Sequence, residues 1–172
     1  MPAYPTKVDT SPLRLHIAPG MPRKLQVLLV DDDADDRLLF ARALQRSGLD
    51  VDSFEAIDGL AGIKYLLGSE RFADRAKFPF PDLVFVDLKM PGMDGFDVLK
   101  EIRSKLALQS LPVVVLTNSE QKADATASYD LRASAFHQKP HCPDDLVSLL
   151  QQVIPLWLNT APGPVNWKSK EL

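Results

Sequence analysis

Asp31, Asp32 and Asp33 close an apolar run, LQVLLV, and Asp35 and Asp36 follow directly, so five of six consecutive residues are aspartates. Two carboxylates about 4 Å apart repel by roughly 1 kcal/mol in water and by roughly 4 kcal/mol at an effective dielectric near 20. Solubility alone does not call for that cost at the mouth of a buried strand. Further apolar runs end in polar residues of chemical interest: DLVFVD ends in Asp87, PVVVL is followed by Thr117, and FHQ is followed by Lys139-Pro140. Brought together, Asp31, Asp32, Asp87, Thr117 and Lys139 make three carboxylates, one hydroxyl and one ammonium around a single crevice. Such a set is a hard-oxygen cation site with room for a phosphoryl group beside it. Magnesium takes oxygen ligands, commonly one or two carboxylates plus phosphate oxygens. An aspartate can attack phosphorus to give an aspartyl phosphate, and a lysine is a compact cation for a phosphate oxygen.

The elements that must position these groups read as alternating strands and helices. Strands are expected over 25–30, 51–55 (short and edge-like), 82–87, 112–116 and 134–137, and helices over 35–47, 60–67, 96–105, 121–131 and 144–154. In the first helix Leu38, Leu39, Ala41, Ala43 and Leu44 cluster near one side, and Gly48 is the stop signal. Residues 71–81 read as a charged, proline-containing loop. Five such units predict an α/β fold with a parallel sheet covered on both faces, connected by right-handed crossovers. Ligands of such sheets bind at the carboxyl ends of the strands, where the candidate residues fall.

Flanking segments differ from this core. Residues 1–24 carry prolines at 2, 5, 12, 19 and 22 without sustained periodicity and read as a flexible arm, with LRLHI (13–17) more a loose segment than an edge strand. Met21 offers a second possible translation start. Residues 159–172 are rich in Pro and Gly and read as a tail, leaving 25–158 as one domain. A net charge of -3 argues against phosphate neutralisation on nucleic acid as the main activity. The single cysteine, Cys142, excludes an internal disulfide and fits a reducing compartment. No signal peptide and no membrane-length apolar run is visible, so a cytoplasmic protein is expected.

VDDD (30–33), DLVFVDLKMPGMDGFDVL (82–99), VVVLTNS (113–119) and FHQKP (136–140) together resemble the receiver domain of two-component response regulators, in order and at the right spacing. DGLAGIKYLLG (58–68), the insert SERFADRAKFPFPD (69–82) and IPLWLN (154–159) resemble the stand-alone regulators that partner bacterial phytochromes. The resemblance implies a flavodoxin-like (βα)5 fold with strand order 2-1-3-4-5. It implies that Asp87 accepts a phosphoryl group from a sensor histidine kinase or a histidine phosphotransfer protein, with Mg2+ bound. Asp32 would bind the metal directly, Asp31 through water, and Lys89 through its backbone carbonyl. Thr117 and Lys139 would hold the phosphate, Pro140 would follow a cis peptide, and Pro91 and Gly95 would shape the acceptor loop. Phe136 would fill the space left by a moving Thr117, by packing alone because it lacks a hydroxyl. Output would run through the fourth helix, fifth strand and fifth helix, a common dimerisation face in the family.

Plainer readings compete at several positions. Asp33, Asp35 and Asp36 read as helix caps and partners of the helix dipole. His137 and His141 lack a further soft ligand at suitable spacing, and Cys142 reads as a small apolar residue. The chain also departs from the family: Lys89 stands where many relatives carry Asn, Arg132 where they carry a helix-ending Gly, and Pro155 interrupts the last helix. Residues 155–158 are accordingly expected to pack as a separate turn. With no output domain recognised after residue 158, signalling is expected to work by protein contact. A haloacid-dehalogenase-type hydrolase is disfavoured because its nucleophile is the first aspartate of a strand-one DxD. A receiver-fold module that signals without phosphorylation is the alternative.

Overall fold

The computed structural model describes residues 24–158. The arm before Lys24, with LRLHI and Met21, and the tail after Leu158 lie outside the described residues. In chain order the elements are β1 (Leu25–Val30), α1 (Ala34–Ser47), β2 (Val51–Ala56), α2 (Gly59–Leu67), β3 (Leu83–Val86), α3 (Gly95–Ser104), β4 (Val113–Thr117), α4 (Lys122–Asp130), β5 (Ala135–Gln138) and α5 (Pro143–Leu158). All four pairings in the sheet are parallel, and the strand order is β2-β1-β3-β4-β5. Both the expected fold and the expected order are therefore observed. Each expected strand and helix falls within a few residues of its observed counterpart, α5 extending furthest beyond its expected end.

Successive residues of the central strands feed opposite faces of the sheet, as the two-residue period of a strand requires. Leu28, Val30, Val84, Val86, Val113 and Val115 join the core under α2 and α3. Val27, Leu29, Leu83, Phe85, Val114 and Leu116 join the core under α1 and α5. Strands buried on both sides must be apolar throughout, which is why β1, β3 and β4 read as unbroken hydrophobic runs.

Three local expectations need correction. The buried stripe of α1 is Phe40, Ala43, Leu44 and Ser47, while Leu38 and Leu39 are exposed. Phe40 sets this rotation by packing edge-on against Phe85, with ring centroids 5.1 Å apart. The last helix does not break at Pro155 but runs through it to Leu158. Pro155 removes an amide that would bond the carbonyl of Gln151, a residue on the solvent side. Burial of Ile154 and the packing of Trp157 against the α1/α5 core hold the helix together past that point. The segment 71–81 is also more than a charged loop. Arg75 donates to the carbonyls of Tyr65 (2.8 Å), Leu66 (2.7 Å) and Phe78 (3.2 Å), and so caps the end of α2. Phe72 and Phe78 pack on the fully buried Tyr65, whose hydroxyl donates to the Pro79 carbonyl at 3.0 Å.

Arg132 behaves as its departure from glycine suggests. α4 ends at Asp130, and Arg132 sits in the left-handed region with φ 60°. Side chains cost roughly 1–2 kcal/mol there. The Arg103 guanidinium donates to the Arg132 carbonyl, a backbone contact that glycine would keep. Arg132→Gly is therefore expected to stabilise the protein by about 0.5–1 kcal/mol, read as a higher urea midpoint with an unchanged slope.

Candidate functional site

The register of the sheet assembles the crevice. Val30 of β1 pairs with Val86 of β3, so Asp31 and Asp87 leave neighbouring strands at the same level. The Asp87 amide donates to the Val30 carbonyl at 3.0 Å, and the Asp31 amide to Ala56 at 3.0 Å. Beyond β5, the Lys139 amide donates to the Thr117 carbonyl at 2.8 Å, which turns the lysine back over the sheet. Asp31, Asp87, Thr117 and Lys139 are all buried, whereas Asp32 is exposed at the rim.

The Lys139 ammonium stands at the centre. It donates to Asp31 Oδ2 at 2.7 Å, Asp36 Oδ2 at 2.6 Å and Asp87 Oδ2 at 3.1 Å. Burial by itself would lower the Lys139 pKa. The hydrogen bonds to Asp31 and Asp36, and the charges of Asp31 and Asp87, reverse that and raise it above the ordinary lysine value. Burial pushes the Asp31 carboxyl above its usual range, with Lys139 and the Asp33 amide (3.0 Å) pulling the other way. Arg37 Nη1 donates to the Asp31 carbonyl at 2.9 Å and anchors the corner further.

Asp31, Asp32 and Asp87 each offer one carboxylate oxygen, and these atoms lie within 4.8 Å of one another. An all-oxygen set of this kind fits a hard divalent cation rather than a thiophilic metal. The Lys89 amide points toward Asp87 Oδ1 at 3.4 Å, which places its peptide beside the same group. Its side chain turns away and pairs with Asp124 of α4 at 3.3 Å. Asp124 also accepts from Ser119 Oγ, which is what holds its carboxyl below the usual range. The Ser119 amide in turn donates to Thr117 Oγ1 at 3.3 Å. Phe136, on β5, is half-buried against the α2/α3 core.

Two features depart from the sequence reading. No peptide among the described residues is cis, so Lys139–Pro140 is trans. The trans preference of an X-Pro bond is about 0.5–1 kcal/mol, and the trans peptide already delivers the ammonium to all three carboxylates. Asp36 is also more than a partner of the helix dipole. Asp33 caps α1 through the amides of Asp35 and Asp36, which sets Asp36 one turn before Phe40 on the buried stripe. The spacing 36, 40, 43, 47 carried that signal, but the stripe assigned through Leu38 and Leu39 pointed elsewhere.

A doubly wound parallel sheet with an acidic corner, a strand-end aspartate, a hydroxyl and a lysine at one crevice is the arrangement of a receiver-type signalling domain. The family model described as "Response regulator receiver domain" matches residues 27–151. The chain belongs to the response regulator receiver family. It is 34% identical over 138 residues to the response regulator Rcp1 of Synechocystis, covering 80% of this chain and 92% of that one. Among solved structures it resembles the phosphorylated cyanobacterial phytochrome response regulator RcpA, with TM-score 0.74, 31% identity and coverage of 83% and 100%. A response regulator in red light signalling of R. palustris gives TM-score 0.76 at 31% identity, with coverage of 82% and 99%. The Mn(2+)-bound form of Rcp1 superposes with TM-score 0.70 at 33% identity, with coverage of 82% and 99%. Among the described residues no helix is long and apolar enough to cross a membrane.

Proposed function

We propose that residues 25–158 form a stand-alone receiver that accepts a phosphoryl group on Asp87 from a phosphohistidine of a sensor histidine kinase or phosphotransfer protein. The observation that carries this reading is the buried Lys139 ammonium, held 3.1 Å from the Asp87 carboxylate at the carboxyl ends of the sheet. In the reaction an Asp87 oxygen attacks phosphorus, the P–N bond breaks, and the bond's electron pair leaves with the imidazole. Mg2+, held by Asp31, Asp32, Asp87 and the Lys89 carbonyl, would supply charge neutralisation at the transferring group. Lys139 pairs with a phosphoryl oxygen, so the chain contributes positioning and electrostatics rather than covalent chemistry of its own beyond Asp87.

Phosphorylation adds nearly two negative charges beside Thr117. Thr117 then hydrogen-bonds the phosphoryl group, and Phe136 packs into the vacated space. The change reaches α4, β5 and α5, where Tyr129 is already exposed, and output follows through a homodimer or another protein contact. Similarity to phytochrome response regulators supports a phytochrome-like kinase as donor. A free cysteine, Cys142, fits action in a reducing compartment such as the cytoplasm, and a net charge of -3 weighs against nucleic acid as a partner.

Intact mass after incubation with acetyl phosphate tests the reading. One phosphoryl group is expected on the wild type only with Mg2+, and none on Asp87→Asn, whose circular dichroism should match the wild type. Size exclusion of both forms then tests the dimer. Equal labelling of Asp87→Asn would refute the acceptor. No labelling under any condition would favour a receiver-fold module that signals without phosphorylation.

A further inference from the structure

We propose that Asp36 is a positioning residue that competes with the phosphoryl group for Lys139 and so restrains phosphorylation of Asp87. The inference rests on Asp87 being the acceptor, as argued above. Its basis is the geometry of one nitrogen. Lys139 Nζ stands closer to Asp36 Oδ2, at 2.6 Å, than to the acceptor's Oδ2, at 3.1 Å. Asp36 belongs to α1, whereas Asp31 and Asp87 belong to the strand ends, so the ammonium is pulled from two sides.

Three carboxylates on one ammonium leave that site with excess negative charge. Asp31 is buried and bound by the Asp33 amide and by Lys139, so it has nowhere else to go. The Asp36 side chain is 26% exposed and close to solvent, and its other contact is a long one from Asn118 Nδ2 at 3.5 Å. A cavity of about 30 Å3, lined in part by Asp36, Phe40, Lys139, Pro140 and Leu146, lies on the α1/α5 side of the lysine, and Asp87 does not line it. Free space thus adjoins Asp36. An incoming phosphoryl group must draw Lys139 away from Asp36 and must also approach against the Asp36 charge. Both effects oppose transfer and favour the unphosphorylated state.

Asp36→Asn keeps the shape and removes the charge. With acetyl phosphate as donor and Mg2+ held saturating, the variant is expected to label about fivefold faster than the wild type at low salt, a modest fraction of the Coulomb limit for one nearby charge. The advantage should shrink as ionic strength rises, because salt screens the wild-type repulsion. Asp36→Glu, which restores a carboxylate, should return toward the wild-type rate. Helix capping or packing by Asp36 would predict neither the acceleration nor its salt dependence. Asp36→Ser serves in the same assay if Asp36→Asn folds poorly, and the same acceleration is expected of it. Folded variants that label no faster than the wild type would overturn the inference while leaving the acceptor assignment intact. A wild type that does not label at all would overturn the acceptor assignment, and this inference with it.

Discussion

Lys139→Ala is expected to lower the stability of the metal-free protein by about 3 kcal/mol at pH 8, and by clearly less at pH 5. Removing one partner of a buried ion pair typically costs about 3–5 kcal/mol because the remaining charge is left uncompensated. Here the remaining charges are Asp31 and Asp87, both buried and on adjacent strands. Burial already holds the Asp31 pKa above the ordinary carboxyl value of 3.8, with Lys139 opposing that shift. Without the lysine the shift grows. A carboxyl whose folded pKa lies above its unfolded value favours folding only while protonated. Its contribution is therefore present at and below pH 3.8 and is lost as pH rises through the raised folded value. Urea denaturation in EDTA at the two pH values measures this directly. Adding Mg2+ at pH 8 should recover part of the loss, since a cation that binds only the folded state stabilises it by mass action. A variant as stable as the wild type at pH 8 would show that the acidic corner is neutralised by something other than Lys139.

Gly95→Ala should damage both stability and phosphorylation. A Cβ at Gly95 would stand 2.2 Å from the carbonyl oxygen of Asp87 and 2.7 Å from the Leu88 Cα. Both atoms are backbone, so no flexible side chain can yield, and the loop that carries the acceptor must move. Overpacking of this kind costs about 1–3 kcal/mol and occasionally more. The Gly95 amide also donates to the Leu88 carbonyl at 3.1 Å, a bond the displacement would stretch. A misplacement of about 1 Å at a reacting group can cost on the order of a hundredfold in rate, so labelling of Asp87 by acetyl phosphate should fall at least about tenfold. Gly48→Ala is the control. Gly48 has φ 72° but nothing within 4 Å of its Cβ position. That change should cost about 1–2 kcal/mol of stability through backbone strain and leave the labelling rate unchanged. Equal labelling of Gly95→Ala and wild type would show that the acceptor loop tolerates the shift.

Much of this protein was legible without coordinates, for a physical reason. A strand buried on both faces has to be apolar along its whole length, so β1, β3 and β4 announce themselves as runs that end where the crevice begins. Asp31, Asp87, Thr117 and Lys139 stand directly after, or at the end of, strands that one parallel sheet aligns, so they converge once those strands lie side by side. Arg132 was similarly visible as a residue type at odds with its position, and the structure shows the strain as a left-handed backbone. Helix rotation and side-chain direction were not. The neighbouring Leu38, Leu39 and Phe40 compete for the inward face of α1, and only contact with Phe85 decides that Phe40 wins. That rotation brings Asp36 to Lys139. Pairings of Lys89 with Asp124, and of Arg75 with the end of α2, also join residues that local periodicity cannot connect. The sequence by itself determined the strands and the residues at their carboxyl ends, because burial and strand period act locally, while the strand order was legible only through the resemblance to receiver domains. Tertiary structure alone decided how the charges are shared within the crevice, because an ammonium chooses its partners by distances that exist only after the helices have packed.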